Sequence, residues 1–194
     1  MNKLTPSSDQ LLQQRRGLLR NAGLLSAGAV LMLGGQTSRA QANSGEADAR
    51  ILNIALTLEH EAINAYQLGA TSGLLQKPVL DVAVRFQADH KAHRDALIAT
   101  IRKLGATPVE EMKLDHYAKQ LNAASLKSQN DVLDLAARLE LAATNAYLSV
   151  IPAFKESQLA KVAGRLAADE TMHWALLNNA LGRQLPASAL SFGA

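Results

Sequence analysis

The sequence predicts an all-α protein, a four-helix bundle built from two repeated helical hairpins with one long crossover connection. Beyond residue 43, glycine and proline are sparse, Ala- and Leu-rich stretches lie between them, and clusters of β-branched residues are few. Four long segments are joined by a short, a long and a short connection, as in a bundle with one crossover. In addition, the second half of this region repeats the first.

Each long helix is predicted from residues that are typical of helix ends. Ser44 suits the cap of the first helix, and Pro78 suits the first turn of the second. The "TSG" stretch at residues 71–73, Gly105 and Gly182 suit the positions just after a helix. The predicted helices span residues 46–70, 78–105, 130–150 and 157–181.

A polar, mixed segment at residues 106–129 separates the two hairpins. Its length favours a crossover connection over a tight turn. We expect a short helix within it, at residues 115–122. The core of the bundle then spans residues 46–182.

Two separate pairs of stretches in the sequence repeat each other. The stretch "LEHEAINAY" at residues 58–66 returns as "LELAATNAY" at 139–147, 81 positions later. The stretch "VAVRFQADHKAHRDAL" at residues 82–97 returns as "VAGRLAADETMHWALL" at 162–177, 80 positions later. Two independent matches at nearly one offset indicate two copies of one hairpin. Because neither hairpin can bury its apolar face alone, we expect them to pack about a pseudo-two-fold axis.

Residues 1–42 are typical of an export signal. The paired Arg15 and Arg16 precede an uncharged apolar run and a small-residue cleavage site, which resembles a twin-arginine signal. The apolar run, at residues 22–35, is shorter than the ~20 residues that a spanning helix needs. We therefore predict a cleaved signal, a bundle domain at residues 43–194 and a periplasmic location, with an uncleaved anchor as the alternative.

The composition excludes several classes of protein. Five of the 20 basic residues but only one of the 17 acidic residues lie in the predicted signal, so the remaining chain is nearly neutral. Nucleic-acid-binding surfaces are strongly basic, which argues against such a partner. The chain has no cysteine, which excludes disulfides, thiolate metal sites, c-type haem attachment and iron–sulfur clusters.

The repeat places carboxylates and imidazoles among apolar residues. Glu170 and His173 form an E-x-x-H motif, whose i and i+3 residues share one helix face. His93 stands at the repeat position of His173. Glu59 and its copy Glu140 have apolar neighbours, among which an unpaired charge is costly. The candidate metal-binding residues are Glu59, His90, His93, Glu140, Glu170 and His173.

One Glu from each of two helices and a Glu-x-x-His from each of the other two is the ligand pattern of di-iron carboxylate bundles. On this pattern the chain resembles the ferritin-like superfamily, and more closely the exported bacterial proteins with a ferritin-like domain. The resemblance implies a dinuclear site, usually of iron and sometimes of manganese. Family members oxidise ferrous iron, remove peroxide, activate dioxygen or store iron. The resemblance makes Glu59 and Glu140 terminal ligands, Glu170 a bridge, and His93 and His173 ligands to one ion each.

His90 departs from the family pattern, which has a second bridging Glu at this position. A neutral imidazole normally gives one nitrogen to one metal, and the exchange also removes a negative charge. Three outcomes stay open: an asymmetric dinuclear site, a mononuclear site, or a site for another ion such as zinc or copper. Asp89, four residues before His93, is a candidate for the missing carboxylate.

Four more side chains are candidates for supporting the site. Tyr66 and Tyr147 follow their glutamates by seven residues, either as core aromatics or as support and an electron relay for the metals. Asp89 and Asp169 each follow an arginine by four residues, so they form helix ion pairs or hydrogen-bond the imidazoles. Of these two hypotheses for the aspartates, we favour the ion pairs.

Three other titratable residues are predicted to lie outside the site. His60, Glu61 and His116 have no repeat partner, so we expect them to face solvent. Glu61 lies about 200° round the helix from Glu59 and should not share its face.

We therefore predict a periplasmic ferritin-like protein whose metal site carries out redox chemistry, such as ferrous oxidation or peroxide removal. The predicted cofactor is iron, two ions per chain, with manganese or zinc as alternatives and oxygen or peroxide as further partners. The alternative function is a non-catalytic metal-binding or stress-associated structural bundle with one metal or none. No nucleic-acid partner and no membrane span after signal removal are expected. The sequence leaves the catalytic residues and a homo-oligomer open.

Overall fold

The computed structural model describes residues 44–188. The predicted export signal at residues 1–42 lies outside the described residues, as do residues 43 and 189–194. The described part of the chain contains helices and no strand, which confirms the all-α fold class. The helices are α1 (Ser44–Thr71), α2 (Lys77–Lys103), α3 (Leu114–Gln120), α4 (Gln129–Val150) and α5 (Ser157–Ala180), with single 3₁₀ turns at Ala123–Ser125 and Ile151–Ala153.

The four long helices pair as two hairpins. α1 packs along α2, α4 packs along α5, and α1 also lies against α4. Three of the predicted helix stops contain a glycine in the left-handed region: Gly73, Gly105 and Gly182 have φ values of 73°, 79° and 69°. Glycine adopts these values without the strain that a Cβ atom brings. The helices therefore end within a few residues of their predicted positions.

The crossover between α2 and α4 folds back onto α1. α3 contacts α1, and Tyr117 of α3 is buried. His60 and Glu61 are each 4% exposed, so the expectation that they face solvent is wrong. His60 Nε2 lies 3.3 Å from a carbonyl oxygen of the crossover, which therefore covers this side of α1. His116 is exposed, as expected.

Of three apolar clusters in the described part of the chain, one packs the crossover against α1 and α4, and the other two fill the interior, one toward each end of the bundle. On every long helix, the candidate metal-binding residues lie between the stretches that form the two clusters. Within residues 44–188, no helix is both long and apolar enough to cross a membrane. The first cluster includes Leu52, Leu56, Leu97, Ile101, Tyr147 and Leu159, and the second includes Tyr66, Ala83, Phe86, Leu133, Ala137 and Leu177.

Candidate metal centre

The six candidate metal-binding side chains meet between the two apolar clusters. Each long helix contributes at least one, and the i, i+3 spacing turns both candidates of α2 and both of α5 toward the interior. All are buried except His93, whose side chain keeps 11% of its surface exposed. The contributions are Glu59 from α1, His90 and His93 from α2, Glu140 from α4, and Glu170 and His173 from α5.

These side chains form two groups of four, and each group could hold a metal ion. In each group, one nitrogen or oxygen atom from every residue lies within 4.8 Å of the others. His90 and Glu170 belong to both groups, and each group adds one further Glu and one further His. The first group is Glu59, His90, His93 and Glu170, and the second is His90, Glu140, Glu170 and His173.

His90 directs its two ring nitrogens toward different groups. Its Nδ1 lies 2.8 Å from Glu59 Oε2, and its Nε2 lies 3.2 Å from Glu140 Oε1. Nε2 is also 3.8 Å from Glu170 Oε2. The imidazole therefore stands between the two glutamates at the place where the family pattern has a carboxylate.

Several buried polar atoms of the centre have no hydrogen-bond partner within residues 44–188. They include Nδ1 of His93, Nδ1 of His173 and both carboxylate oxygens of Glu170. The two Nδ1 atoms nevertheless lie 3.2 and 3.3 Å from oxygens of Glu170. Buried polar atoms without a partner are costly, and convergent nitrogen and oxygen atoms are what a bound cation would satisfy. The residues therefore fit the metal ions that the resemblance implies.

The carboxylates and imidazoles of the centre compensate one another's charge. Burial alone would raise the pKa of Glu59, but its interactions with His90 and His93 outweigh burial and lower the pKa to about 2. Burial alone would lower the pKa of His93, but Glu170 and Glu59 outweigh it and raise the pKa to about 10. Burial alone would also lower the pKa of His173, but the neighbouring carboxylates outweigh it and raise the pKa to about 9. A metal ion that binds these imidazoles must displace their protons.

The two tyrosines reach across to the opposite hairpin. Tyr66 donates a hydrogen bond of 2.5 Å to Glu140 Oε1, and Tyr147 donates one to Glu59 Oε1. Each hydroxyl thus orients the buried glutamate of the other repeat. Buried core aromatics whose hydroxyls find a partner and tyrosines that support the site would both make these hydrogen bonds, so the supporting role stays a prediction.

The two aspartates cross between the hairpins in the same way. His93 Nε2 lies 3.3 Å from Asp169 Oδ2, and His173 Nε2 lies 3.3 Å from Asp89 Oδ2. A carboxylate on the outer nitrogen fixes the orientation and tautomer of an imidazole. Asp89 also keeps an ion-pair contact of 3.9 Å with Arg85, whereas Asp169 has none with an arginine in the described part of the chain. Asp89 belongs to neither group of four, so it does not replace the carboxylate missing at position 90.

Phe86 is a neighbour of the centre that sequence analysis missed. Its ring stacks on His173, with the ring centroids 3.9 Å apart and the planes at 27°. The stacking covers one face of the imidazole, while its two ring nitrogens face the carboxylates of Asp89 and Glu170. The sequence carried a signal for this neighbour, because the two hairpins differ here: the second has Leu166 at the repeat position of Phe86.

Comparisons with known proteins agree with this fold. Among solved structures, the chain is similar to a conserved hypothetical protein from Mycobacterium tuberculosis, with a TM-score of 0.60 and 21% identity, over 76% of this chain and 99% of that one. At this identity the similarity shows the fold alone. None of the curated proteins compared with this chain matches it. Residues 47–183, which include all six candidate residues, match the family described as ferritin-like domain. The chain therefore belongs to the family of proteins with a ferritin-like domain.

Proposed function

We propose that this protein binds two iron or manganese ions inside its bundle and uses them in redox chemistry, either ferrous oxidation or peroxide removal. The observation that supports the proposal is the pair of four-residue groups that share His90 and Glu170. Carboxylate oxygens combined with imidazole nitrogens suit iron and manganese. The chain has no cysteine to offer a thiolate to softer metals.

In this proposal the centre has two ion positions on either side of a shared pair of residues. Glu59 and His93 would hold one ion, and Glu140 and His173 would hold the other. Glu170 offers one oxygen to each side, since its Oε1 faces His93 and its Oε2 faces His173. When bound, the metals supply the electrons for reaction with oxygen or peroxide.

The surrounding residues position the site and control its protons. The two apolar clusters keep bulk water away from the buried carboxylates, which strengthens their attraction for a cation. Asp89 and Asp169 have 40% and 44% of their side-chain surface exposed, and each contacts an imidazole of the centre. These two carboxylates thus lie between the imidazoles and solvent. They are placed to attract an incoming cation and to pass displaced imidazole protons to solvent.

His90 supports a second candidate function. Its imidazole replaces a carboxylate and so leaves the centre with one negative charge fewer than the four-glutamate pattern. The positive charge of a second divalent ion would therefore be less fully compensated. The second candidate is a non-catalytic bundle that holds one ion, for example zinc, for which imidazole and carboxylate are also suitable ligands.

We also propose that the protein acts in the periplasm. The support is the arginine pair and apolar run of residues 1–42, which resemble a twin-arginine signal. That route exports folded proteins, so the bundle would take up its metal in the cytoplasm before export. A fusion to a reporter that is active only in the periplasm tests this location, and Arg15→Lys together with Arg16→Lys should abolish the signal.

The proposed chemistry is tested by elemental analysis of the folded, exported protein, followed by optical spectra during addition of oxygen or peroxide. We expect two iron or manganese ions per chain and a spectrum that changes with the oxidant. Zinc, or a spectrum that peroxide leaves unchanged, would contradict the redox function. Glu170→Gln is the matched control, because it should lose both the metal and the spectral change.

A further inference from the structure

An apolar cavity of about 240 Å³ lies at the end of the bundle that contains Tyr66. It is bounded by the second half of α1, the start of α2, the first half of α4 and the end of α5, together with Leu75 before α2 and Leu126 of the crossover. Its walls are mostly Ala, Val and Leu side chains, and no charged residue of the described chain lines it. The polar residues of the wall are Tyr66, which is buried, and Asn179, which is exposed at the rim.

The repeat shows that the cavity is a property of this sequence and not of the bundle as such. At the other end, Tyr147 lies in a cluster with the fully buried Leu56. Gly69 in the cavity wall stands at the repeat position of the buried Val150. Likewise, Val79 in the cavity wall stands at the repeat position of Leu159. Smaller residues thus leave space beside one tyrosine where larger residues pack around the other.

Tyr66 joins the cavity to the metal centre. Its ring forms part of the cavity wall, and its hydroxyl donates to Glu140 at 2.5 Å. The ring centroid is also 5.5 Å from that of His90. A molecule in the cavity would therefore contact a side chain that directly orients the carboxylate of one ion position.

We propose that this cavity binds a small, uncharged, largely hydrocarbon molecule beside Tyr66. A charged ligand would lose its hydration without gaining an ionic partner, which is costly. Ordered water needs two to four polar partners, which these walls do not provide. An apolar cavity of about 150 Å³ is large enough for benzene, so a ring with one or two substituents fits here. The proposal does not depend on which metal occupies the centre.

The test is titration of the full chain with toluene, using sodium benzoate as a charged probe of similar size. Trp174 is the only tryptophan of the chain and packs against the cluster around Tyr66, so its fluorescence reports on this region. We expect toluene to change the fluorescence in a saturable way and to raise the melting temperature, because a ligand of the folded state stabilises it. Benzoate should do neither. No saturable change with toluene, or an equal response to benzoate, would overturn the proposal.

Filling the cavity should abolish the effect of toluene. Ala136→Leu adds three carbon atoms to the wall, and we expect it to weaken toluene binding by about tenfold or more. Ala180→Leu at the exposed end of α5 is a second filling variant, in case the first fails to fold. The control is Ala88→Leu, the same change at an exposed position of α2 outside the cavity. If both filling variants bind toluene as the parent chain does, the cavity is not the binding site.

Discussion

The two hairpins share a plan, but His90 in the first takes the place of Glu170 in the second. The residues that are the same in both hairpins form hydrogen bonds across the bundle: Tyr66 donates to Glu140, and Tyr147 donates to Glu59. The residues that differ are those common to both groups of four. The symmetric residues thus give each group of four one Glu and one His of its own, while the unlike pair is shared between the groups.

The hairpins also differ in the two residues that follow the buried glutamates Glu59 and Glu140. The first hairpin has His60 and Glu61 where the second has Leu141 and Ala142. Burial raises the pKa of Glu61 to about 7, against a smaller opposing effect of a hydrogen bond with Gln120. Glu59, two residues earlier, has its pKa lowered to about 2, because imidazoles outweigh its burial. Both carboxylates are buried, so the presence of cationic neighbours decides whether each is stabilised as an anion.

Glu170→Gln should have the largest effect of the changes that compare the hairpins. Glu170 belongs to both groups, so its loss should weaken both ion positions. We expect a loss greater than the roughly 10–100-fold that removal of an outer partner costs. Isothermal titration with manganese measures the effect. Exposed Glu110→Gln in the crossover is the control, and a variant that keeps either ion at parental affinity would contradict a shared role for Glu170.

Glu61→Gln should increase stability above neutral pH. The folded pKa of about 7 exceeds the ordinary value of 4.5, so ionisation favours the unfolded chain. The fold therefore loses stability as the pH rises from 4.5 to about 7, by up to about 3 kcal/mol, and the loss persists above that range. Urea unfolding with a chelator present should show the variant to be more stable than the parent at pH 8. Near pH 4 the two should be similar, and equal stability at pH 8 would refute the burial argument. Glu110→Gln is again the control.

Asp169→Asn and Asp89→Asn test the exchange of partners between hairpins. Each should weaken one ion position by about 10–100-fold, because each orients one imidazole. Asp169 lies in the second hairpin but contacts His93 of the first. A double-mutant cycle of metal affinity should therefore couple Asp169→Asn to His93→Gln, and leave it additive with His173→Gln. Coupling to His173 would mean that the partners are not exchanged.

His90→Glu should give the smallest effect, and it is the change that makes the hairpins alike. The added carboxylate should tighten binding of the second ion by about tenfold, or about 1.4 kcal/mol. Manganese titration of the parent and the variant measures the gain. His116→Glu, at an exposed position of α3, controls for the change in net charge. No gain beyond that of the control would argue against a place for His90 between the ions.

Much of the fold and the centre follows from local sequence. The helices end near their predicted glycines, because a positive φ is a local requirement. Glu170 and His173 share a face through their i, i+3 spacing, and the repeat extends this argument to His90 and His93. Such patterns are properties of single helices, so one sequence is enough to find them.

Contacts between elements could not be predicted in the same way. Whether Tyr66 supports the glutamate of its own helix or that of another depends on which helices face each other. The burial of His60 and Glu61 depends on the path of an irregular crossover, which helix periodicity does not describe. Asp48 is a further example, since it accepts hydrogen bonds from the backbone of Lys155 and Glu156, more than 100 residues away.

Two ions should lie on either side of His90, and anomalous scattering from crystals loaded with manganese tests this arrangement directly. Two peaks per chain are expected. One should lie against Glu59 and His93 and the other against Glu140 and His173, with Glu170 in reach of both. A single peak, or peaks outside these two groups, would rule out the two-ion arrangement.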